Sequence, residues 1–360
     1  MFLSCQVRYS SGIIQSRFLP NFMSKRKLTI QQGWRVKKIQ EERIARANKR
    51  ESHIAQMLED DALGPEQPGL VIAHYGTQLD IEPIGQPDKV CRCYFRTNLP
   101  TLVTGDKVIW RASEKEQHSG IVVAHQLRQS LLSRPNKQGV LKPVAANIHY
   151  IVIVLAPVPT PFANLIDRYL VAAETIGIEP VILLNKTDLI NAKNRAELDA
   201  MMTIYEKIGY KVLKASSYQE EGLALLKQLL NQHTSVFVGQ SGVGKSSLIN
   251  ALLPEENLRI GELSEARGKG THTTTAARLF RFPSGGCLID SPGIREFGLW
   301  HMDRQEVIQG FRDIRPFIGH CRFRDCKHEN EPGCAIHQAE QQGEISSQRI
   351  TSYRQIIDSL

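Results

Sequence analysis

The chain reads as three unlike parts in series: a small β-barrel, an α/β domain on a parallel sheet, and an α-rich tail too short for a core of its own. Three observations predict this. Short strand patterns separated by glycine turns fill residues 68 to 130, continuous apolar runs alternate with helical patterns from 131 to 310, and three cysteines crowd into residues 311 to 360. A basic segment, residues 1–67, precedes them and reads as a flexible extension.

The whole is an ordinary soluble globular composition. The 360 residues are 41% apolar and 23% charged, with a formal net charge of +8. The positive balance permits a nucleic-acid partner. No apolar run reaches the length of a membrane span, so no membrane partner is expected, and the chain is read as a monomer. Seven cysteines, an odd number unevenly spaced, point to a reducing, cytoplasmic compartment and to metal binding rather than disulfides. Met1 to Pro20 contains no acidic residue, and Met23-Ser-Lys-Arg-Lys has the look of a natural start; residues 1 to 22 carry no fold information. Between Lys25 and Arg50, ten basic residues face two glutamates, a composition for a mobile arm or for a helix that orders on phosphate backbone.

For the barrel, the expected strands are Gly69–His74, Gln78–Glu82, Val90–Arg96, Lys107–Arg111 and Gly120–His125. Five strands in so short a stretch suggest an OB-fold. Alternation puts Cys91, Cys93 and Phe95 inside and Arg92, Tyr94 and Arg96 outside. An aromatic between two arginines on an open sheet face suits RNA stacking and phosphate contact, and equally a solvated face.

In the α/β part, Ile148–Leu155, Val181–Leu184, Val212–Ala215, Val236–Val238 and Leu288-Ile289 read as strands, with a helix over Leu165–Ile176. Strand Val236–Val238 runs into Gly239-Gln240-Ser241-Gly242-Val243-Gly244-Lys245-Ser246-Ser247 and then a helical pattern. Strand, glycine turn and helix start are the context a phosphate loop requires. Its backbone N–H groups and helix N-terminus cradle phosphates, Lys245 reaches the β/γ-phosphates, and Ser246 ligates Mg²⁺.

The strand ending at Leu184 leads into Asn185-Lys186-Thr187-Asp188. A carboxylate there accepts both donors of a guanine edge, a pair adenine does not offer, which predicts GTP and GDP as ligands and excludes an ATPase or nucleotide kinase. Asn185 completes the base pocket, the Lys186 stem lies along the purine, and Ser216 and Ser217 present backbone N–H to the base. Asp290 of Asp290-Ser-Pro-Gly293 is placed to hold Mg²⁺ through water, and Gly293 to meet the γ-phosphate. One of Thr273, Thr274 and Thr275 closes over Mg²⁺, and the loop 264 to 275 orders with the γ-phosphate. Ile294, after that aspartate-to-glycine turn, cannot orient water; His272 is the nearest imidazole and is the catalytic candidate. The base-reading motif precedes the phosphate loop, the reverse of Ras-like order, so the domain is a circularly permuted P-loop GTPase domain.

Cys321-x₄-Cys326-x-His328-x₅-Cys334 offers three thiols and an imidazole, a donor set for one structural zinc, which would supply the folding energy this tail lacks.

Taken together, these motifs in this order resemble the bacterial small-ribosomal-subunit-dependent GTPase family known as RsgA or YjeQ, from Met23 to Leu360; the extension before Met23 has no family counterpart, and Gly268-Lys-Gly-Thr271 departs from many members. The resemblance implies GTP hydrolysis stimulated by the small ribosomal subunit during its late maturation, rRNA contacts from the barrel and the zinc domain, zinc on Cys321, Cys326, His328 and Cys334, and a catalytic His272. The alternative is an RNA-binding assembly module in which GTP is a structural ligand with little turnover.

Overall fold

The structure, a computed structural model, describes residues 63 to 360 apart from 88, 97, 137, 217–220, 255–276, 292–297, 299–301 and 330. Residues 1–62 of the basic extension, the loop carrying His272 and Thr274, and the positions Ser217, Gly293 and Ile294 lie outside the described residues.

Strands β1 (Leu63–His74), β2 (Leu79–Pro83), β3 (Cys91–Phe95), β4 (Lys107–Ser113) and β5 (Ser119–His125) pair in the order β1-β2-β3-β5-β4, and β4 returns to β1 to close a five-stranded barrel. Closure removes the open edges that a five-strand sheet would otherwise present. Its core holds Val71, Leu79, Ile81, Cys91, Cys93, Val108, Trp110 and Val122, so both β3 thiols point inward as the alternation requires. β1 starts well before the expected Gly69. Its polar first half shows no alternation, and it is held by Arg111, which donates to the carbonyls of Leu63 (2.7 Å) and Gly64 (2.8 Å). Gly69 is required by packing: a Cβ there would lie 2.6 Å from Ile81 Cγ2 and 2.7 Å from Trp110 Cδ1.

A hairpin absent from the sequence reading follows, β6 (Leu131–Pro135) with β7 (Leu141–Ala146). The α/β part contains β8 (Tyr150–Leu155), α1 (Ala163–Thr175), β9 (Glu179–Leu184), α2 (Arg195–Ile208), β10 (Lys211–Lys214), α3 (Glu221–Leu230), β11 (Thr234–Val238), α4 (Lys245–Leu252), β12 (Arg278–Arg281) and β13 (Cys287–Asp290). The order is β10-β9-β8-β11-β13-β12, parallel except for β12. Along β8, Ile151, Ile153 and Leu155 enter a core shared with α1 and α2, while Val152 and Val154 enter one shared with α3 and α4. That two-sided burial is why the strand is apolar throughout.

β12 also pairs with β1 at Ala73 and Arg278, making barrel and α/β sheet continuous. The join is reinforced by Arg281, whose Nε reaches Glu82 Oε1 at 2.9 Å, and by Thr104, whose Oγ1 donates to the Ala277 carbonyl at 2.8 Å.

The tail adds α5 (Arg304–Gln309), α6 (Ala335–Gln341) and α7 (Ser347–Ile357). Asp303 and Glu306 form a reciprocal cap on α5, each side chain accepting from the other's backbone N–H. Phe311, Ile314, Ile336, Ile350, Tyr353 and Ile356 form a core that includes Val171 of α1, so the tail borrows apolar surface from the α/β part. At that junction, fully buried Arg349 pairs with Asp167 of α1 and with Asp313 (2.7 Å), and Tyr205 of α2 donates to Asp167 at 2.9 Å. Burial opposes the Arg349 charge, but the two carboxylates overcome it and hold the guanidinium above its ordinary pKa.

Candidate functional site

Parallel strands bring their carboxyl ends to one edge of a sheet, and ligands of open α/β folds bind there. At this edge β8 ends at Leu155, β9 runs into Asn185, β10 into Ala215 and Ser216, β11 into Gly239, and β13 stops at Asp290. The segments that the sequence singled out are therefore neighbours despite their reversed order.

Gly239 leaves β11 at φ +136, packed so tightly on the Val154 carbonyl that a Cβ has no room. Gly242 and Gly244 also take positive φ, at +85 and +90, which curls the loop. α4 then starts at Lys245 with no side chain capping it, so the positive end of its helix dipole faces the loop. Lys245 lies across the loop, its Nζ bonded to the carbonyls of Gly239 (2.7 Å) and Gln240. Gln240 is partly exposed, Ser241, Ser246 and Ser247 are exposed, and Val243 is buried among the α3 and α4 core residues.

The base-reading segment touches this loop directly. Asn185, fully buried, donates from Nδ2 to the Val243 carbonyl at 3.0 Å. Lys186, in left-handed conformation at φ +56, reaches the Gly242 carbonyl with Nζ at 2.5 Å. Gly244 has to be glycine here, since a Cβ would lie 2.6 Å from Asn185 Nδ2 and 3.2 Å from Lys186 Cε. Thr187 N–H bonds the Ala215 carbonyl at 3.2 Å, holding Asp188 beside β10. Asp188 is exposed, and its Oδ1 accepts from Ser216 Oγ at 2.7 Å. This orienting role of the Ser216 hydroxyl was missed by the sequence reading, which used only the backbone of that residue. Asp290 is 8% exposed at the end of β13, across the ladder from Arg278. A hydroxyl at Ser246 and a carboxylate at Asp290, both at this edge, are hard oxygen donors of the kind Mg²⁺ takes.

The arginines of β3 are placed unequally. Arg92 is tied to Asp80 and lies 4.6 Å over the Tyr75 ring, Tyr94 is half-buried against Leu63, Ile121 and Val123, and Arg96 is exposed.

In the tail, the donor atoms of Cys321, Cys326, His328 and Cys334 all lie within 4.8 Å of one another. His328 Nδ1 is 3.5 Å from Cys321 Sγ and 3.6 Å from Cys334 Sγ, and those two sulfurs are 4.0 Å apart. Metal–sulfur bonds of about 2.3 Å and a metal–nitrogen bond of about 2.0 Å in a tetrahedron demand edges of roughly 3.5 to 3.8 Å. The donor set fits a metal ion. Ala335 N–H points at Cys321 Sγ at 3.4 Å, which favours a thiolate. Glu331, unremarked in the sequence, accepts from the N–H groups of Lys327 (2.7 Å) and Glu329 (2.9 Å), shaping the loop around His328. Those bonds hold its carboxyl down at about 2.

The model of the family described as RsgA GTPase matches residues 125–300. The Small ribosomal subunit biogenesis GTPase RsgA of Azotobacter vinelandii is 58% identical over 343 residues, covering 94% of this chain and 98% of its own. This chain belongs to the RsgA GTPase family. The RsgA of Pseudomonas aeruginosa PAO1 is 56% identical over 338 residues, with the same coverage of both chains. Among solved structures, YjeQ from Thermotoga maritima superposes with TM-score 0.68 at 28% identity over 82% of this chain and 99% of its own. YloQ, described as a circularly permuted GTPase, gives TM-score 0.65 at 30% identity over 82% and 95%. The permuted domain inferred from motif order is thus the fold of this RsgA family member. No helix among the described residues is long and apolar enough to cross a membrane.

Proposed function

We propose that this RsgA family member binds the small ribosomal subunit in the cytoplasm and hydrolyses GTP to GDP and phosphate during late maturation of that subunit. The observation that supports the reading is the pair of bonds from Asn185 and Lys186 to Val243 and Gly242, since segments so joined are close enough for one nucleotide to meet both. Asp188, held by Ser216, accepts from the guanine N1–H and N2–H₂, and the backbone of Ser216 and Ser217 lies alongside. The Lys186 stem forms a wall of the base pocket. Gly239 to Ser247 wrap the phosphates, with the Lys245 ammonium on the β/γ-phosphates and the Gly293 N–H on the γ-phosphate.

Ser246, Thr274 and Asp290 would hold Mg²⁺, which supplies charge neutralisation between the β- and γ-phosphates. His272 orients the attacking water, the function that Ile294 cannot perform. Cys321, Cys326, His328 and Cys334 bind one structural zinc. Arg96, with Tyr94 and Arg92, forms the barrel's rRNA-facing surface; Arg92 contributes while remaining anchored to Asp80. The chain acts as a monomer.

The deciding experiment is GTP turnover with and without isolated small subunits. A strong rise on adding subunits supports the proposal. Subunit binding with no rise would instead select an assembly module that uses GTP as a structural ligand.

A further inference from the structure

Helix α1 is held on two opposite stripes. Asn164, Asp167, Val171 and Glu174 recur at helical spacing and so fall on one face. The tail grips each of them. Asn164 Nδ2 donates to the Ser352 carbonyl of α7 at 3.4 Å, Asp167 pairs with Arg349, and Glu174 accepts from Arg312 Nε at 2.8 Å. At Val171 the backbones meet: a Cβ on Gly310, just past α5, would lie 2.6 Å from Val171 Cγ1 and 3.0 Å from its Cα.

Tyr169, two residues on from Asp167, lies about 200° around the helix from it. With Ile166 and Ala173 it enters the α/β core. Burial alone would be met by phenylalanine, and a buried hydroxyl is costly unless it is bonded. Its oxygen accepts from the backbone N–H of Gly239, the first residue of the phosphate loop. Gly239 is fixed on its other sides as well. The Val154 carbonyl bars a Cβ, which would lie 2.3 Å away, and the Gly239 carbonyl accepts from Lys245 Nζ at 2.7 Å. The segment leading into α1 meets the same loop, since Pro159 Cδ lies 3.7 Å from the position of a Cβ on Gly242. One face of α1 thus meets the phosphate loop and the other meets the tail.

We infer that Tyr169 is a positioning residue of the phosphate loop and that the docked tail sets it, so that nucleotide affinity depends on the Arg349 junction on the far side of α1. The helix is one rigid body, and the buried ion pair that seats it has an exacting geometry. A small displacement at Asp167 therefore carries Tyr169 with it and shifts the Gly239 peptide on which Lys245 rests. The effect falls on GDP and GTP alike, because it acts through the loop that wraps the phosphates both share. It is also reciprocal: whatever tail docking adds to nucleotide affinity, nucleotide adds to tail docking. The inference rests on the reading that Gly239 to Ser247 bind the phosphates.

The test uses the full chain, titration calorimetry with GDP, and GTP turnover across a concentration series. Tyr169→Phe keeps the ring and loses the hydroxyl. It should weaken GDP about fivefold, the worth of one hydrogen bond, and raise KM in step while kcat stays within about twofold. Lower stability in urea with unchanged GDP affinity would make Tyr169 a core residue only and overturn the inference. Arg349→Lys keeps a charge and loses the planar fork, and should weaken GDP about threefold. In the Tyr169→Phe background the same substitution should add less than about 1.5-fold, because its route is already cut. Effects that multiply in full would overturn the route through Tyr169. Hydrogen exchange reads the coupling without altering the junction. Saturating GDP should slow amide exchange in α7 about threefold or more in the wild-type chain and leave it unchanged in Tyr169→Phe. Wild-type exchange in α7 that is indifferent to GDP would overturn the coupling. A wild-type chain that binds no GDP refutes the phosphate-loop reading and this inference with it, whereas variants that bind like a competent wild type refute the inference alone.

Discussion

Asn185 donates its side-chain amide to the Val243 carbonyl at 3.0 Å, across fifty-eight positions of sequence and in a fully buried setting. The two segments proposed to hold the base and the phosphates are thereby braced against each other. Removing the brace leaves a buried carbonyl unpaired at a cost of about 1–3 kcal/mol. Asn185→Ala should weaken GTP and GDP alike by at least tenfold, measured by titration calorimetry, because it disturbs features both nucleotides share. A loss confined to GTP would place Asn185 in γ-phosphate sensing instead.

Asp188 is fixed by the Ser216 hydroxyl at 2.7 Å. Asp188→Asn replaces an acceptor pair with one acceptor and one donor, which mismatches the guanine N2 amine. Competition between GTP and ATP should show selectivity falling about 100-fold, with the remaining phosphate affinity intact. Ser216→Ala should give a smaller loss of about three- to tenfold, since the carboxylate stays but loses its orientation. Unchanged preference in Asp188→Asn would remove this residue from base recognition.

His272→Ala should leave GTP affinity within about twofold and lower turnover by 10²-fold or more, the ordinary contribution of a positioned acid–base or water-orienting group. Single-turnover hydrolysis distinguishes this from slow product release. Wild-type turnover would remove His272 from the mechanism.

Much of this was legible in the sequence because the motifs sit on strands buried on both faces, where an apolar run, a glycine turn and a polar residue follow one another in a fixed sense. Asn185, Gly239 and Asp290 were found that way. The β6–β7 hairpin was not, since Leu131–Pro135 and Leu141–Ala146 include two prolines and a lysine–arginine pair and lack clean alternation. β12 was missed for a related reason: Arg278 and Arg281 bracket only Leu279 and Phe280, and their partners lie in another part of the chain, as with Arg281 and Glu82. Arg92 shows the limit of facing arguments. Alternation put it outside correctly, but only the fold shows that Asp80 and Tyr75 hold it there.

Arg349 ties the tail to α1 and α2 through Asp167, Asp313 and the Phe311 ring, whose centre is 4.5 Å from the guanidinium. Burial pushes the Asp167 carboxyl up, and the Arg349 charge beside it pulls it back. Leaving one member of a buried ion pair uncompensated costs about 3–5 kcal/mol. Arg349→Met should therefore lower stability by that amount in urea unfolding. Asp167→Asn combined with Arg349→Met should recover part of the loss, because the fully buried carboxylate is then no longer charged and only Asp313 is left without its partner. A double variant no better than the single would mean that packing around Phe311 and Tyr353, not charge, holds the junction.

The metal cluster makes the last prediction. Cys321 and Cys334 come from the two ends of a loop, Cys334 leads into α6, and Glu331 organises the backbone between His328 and Cys334. With so little buried apolar surface in the loop itself, the bonds to metal supply the energy that fixes it. The purified chain should carry about one zinc, read by elemental analysis. Strong chelation should release it and raise amide hydrogen exchange across residues 318 to 340, leaving β8, β9 and β11 protected, since their cores contain no cluster residue. Glu331→Ala should speed zinc release about tenfold, an effect typical of losing a partner behind the ligands. A metal-free chain with the same exchange pattern would show that the core around Phe311 and Tyr353 suffices to hold the loop.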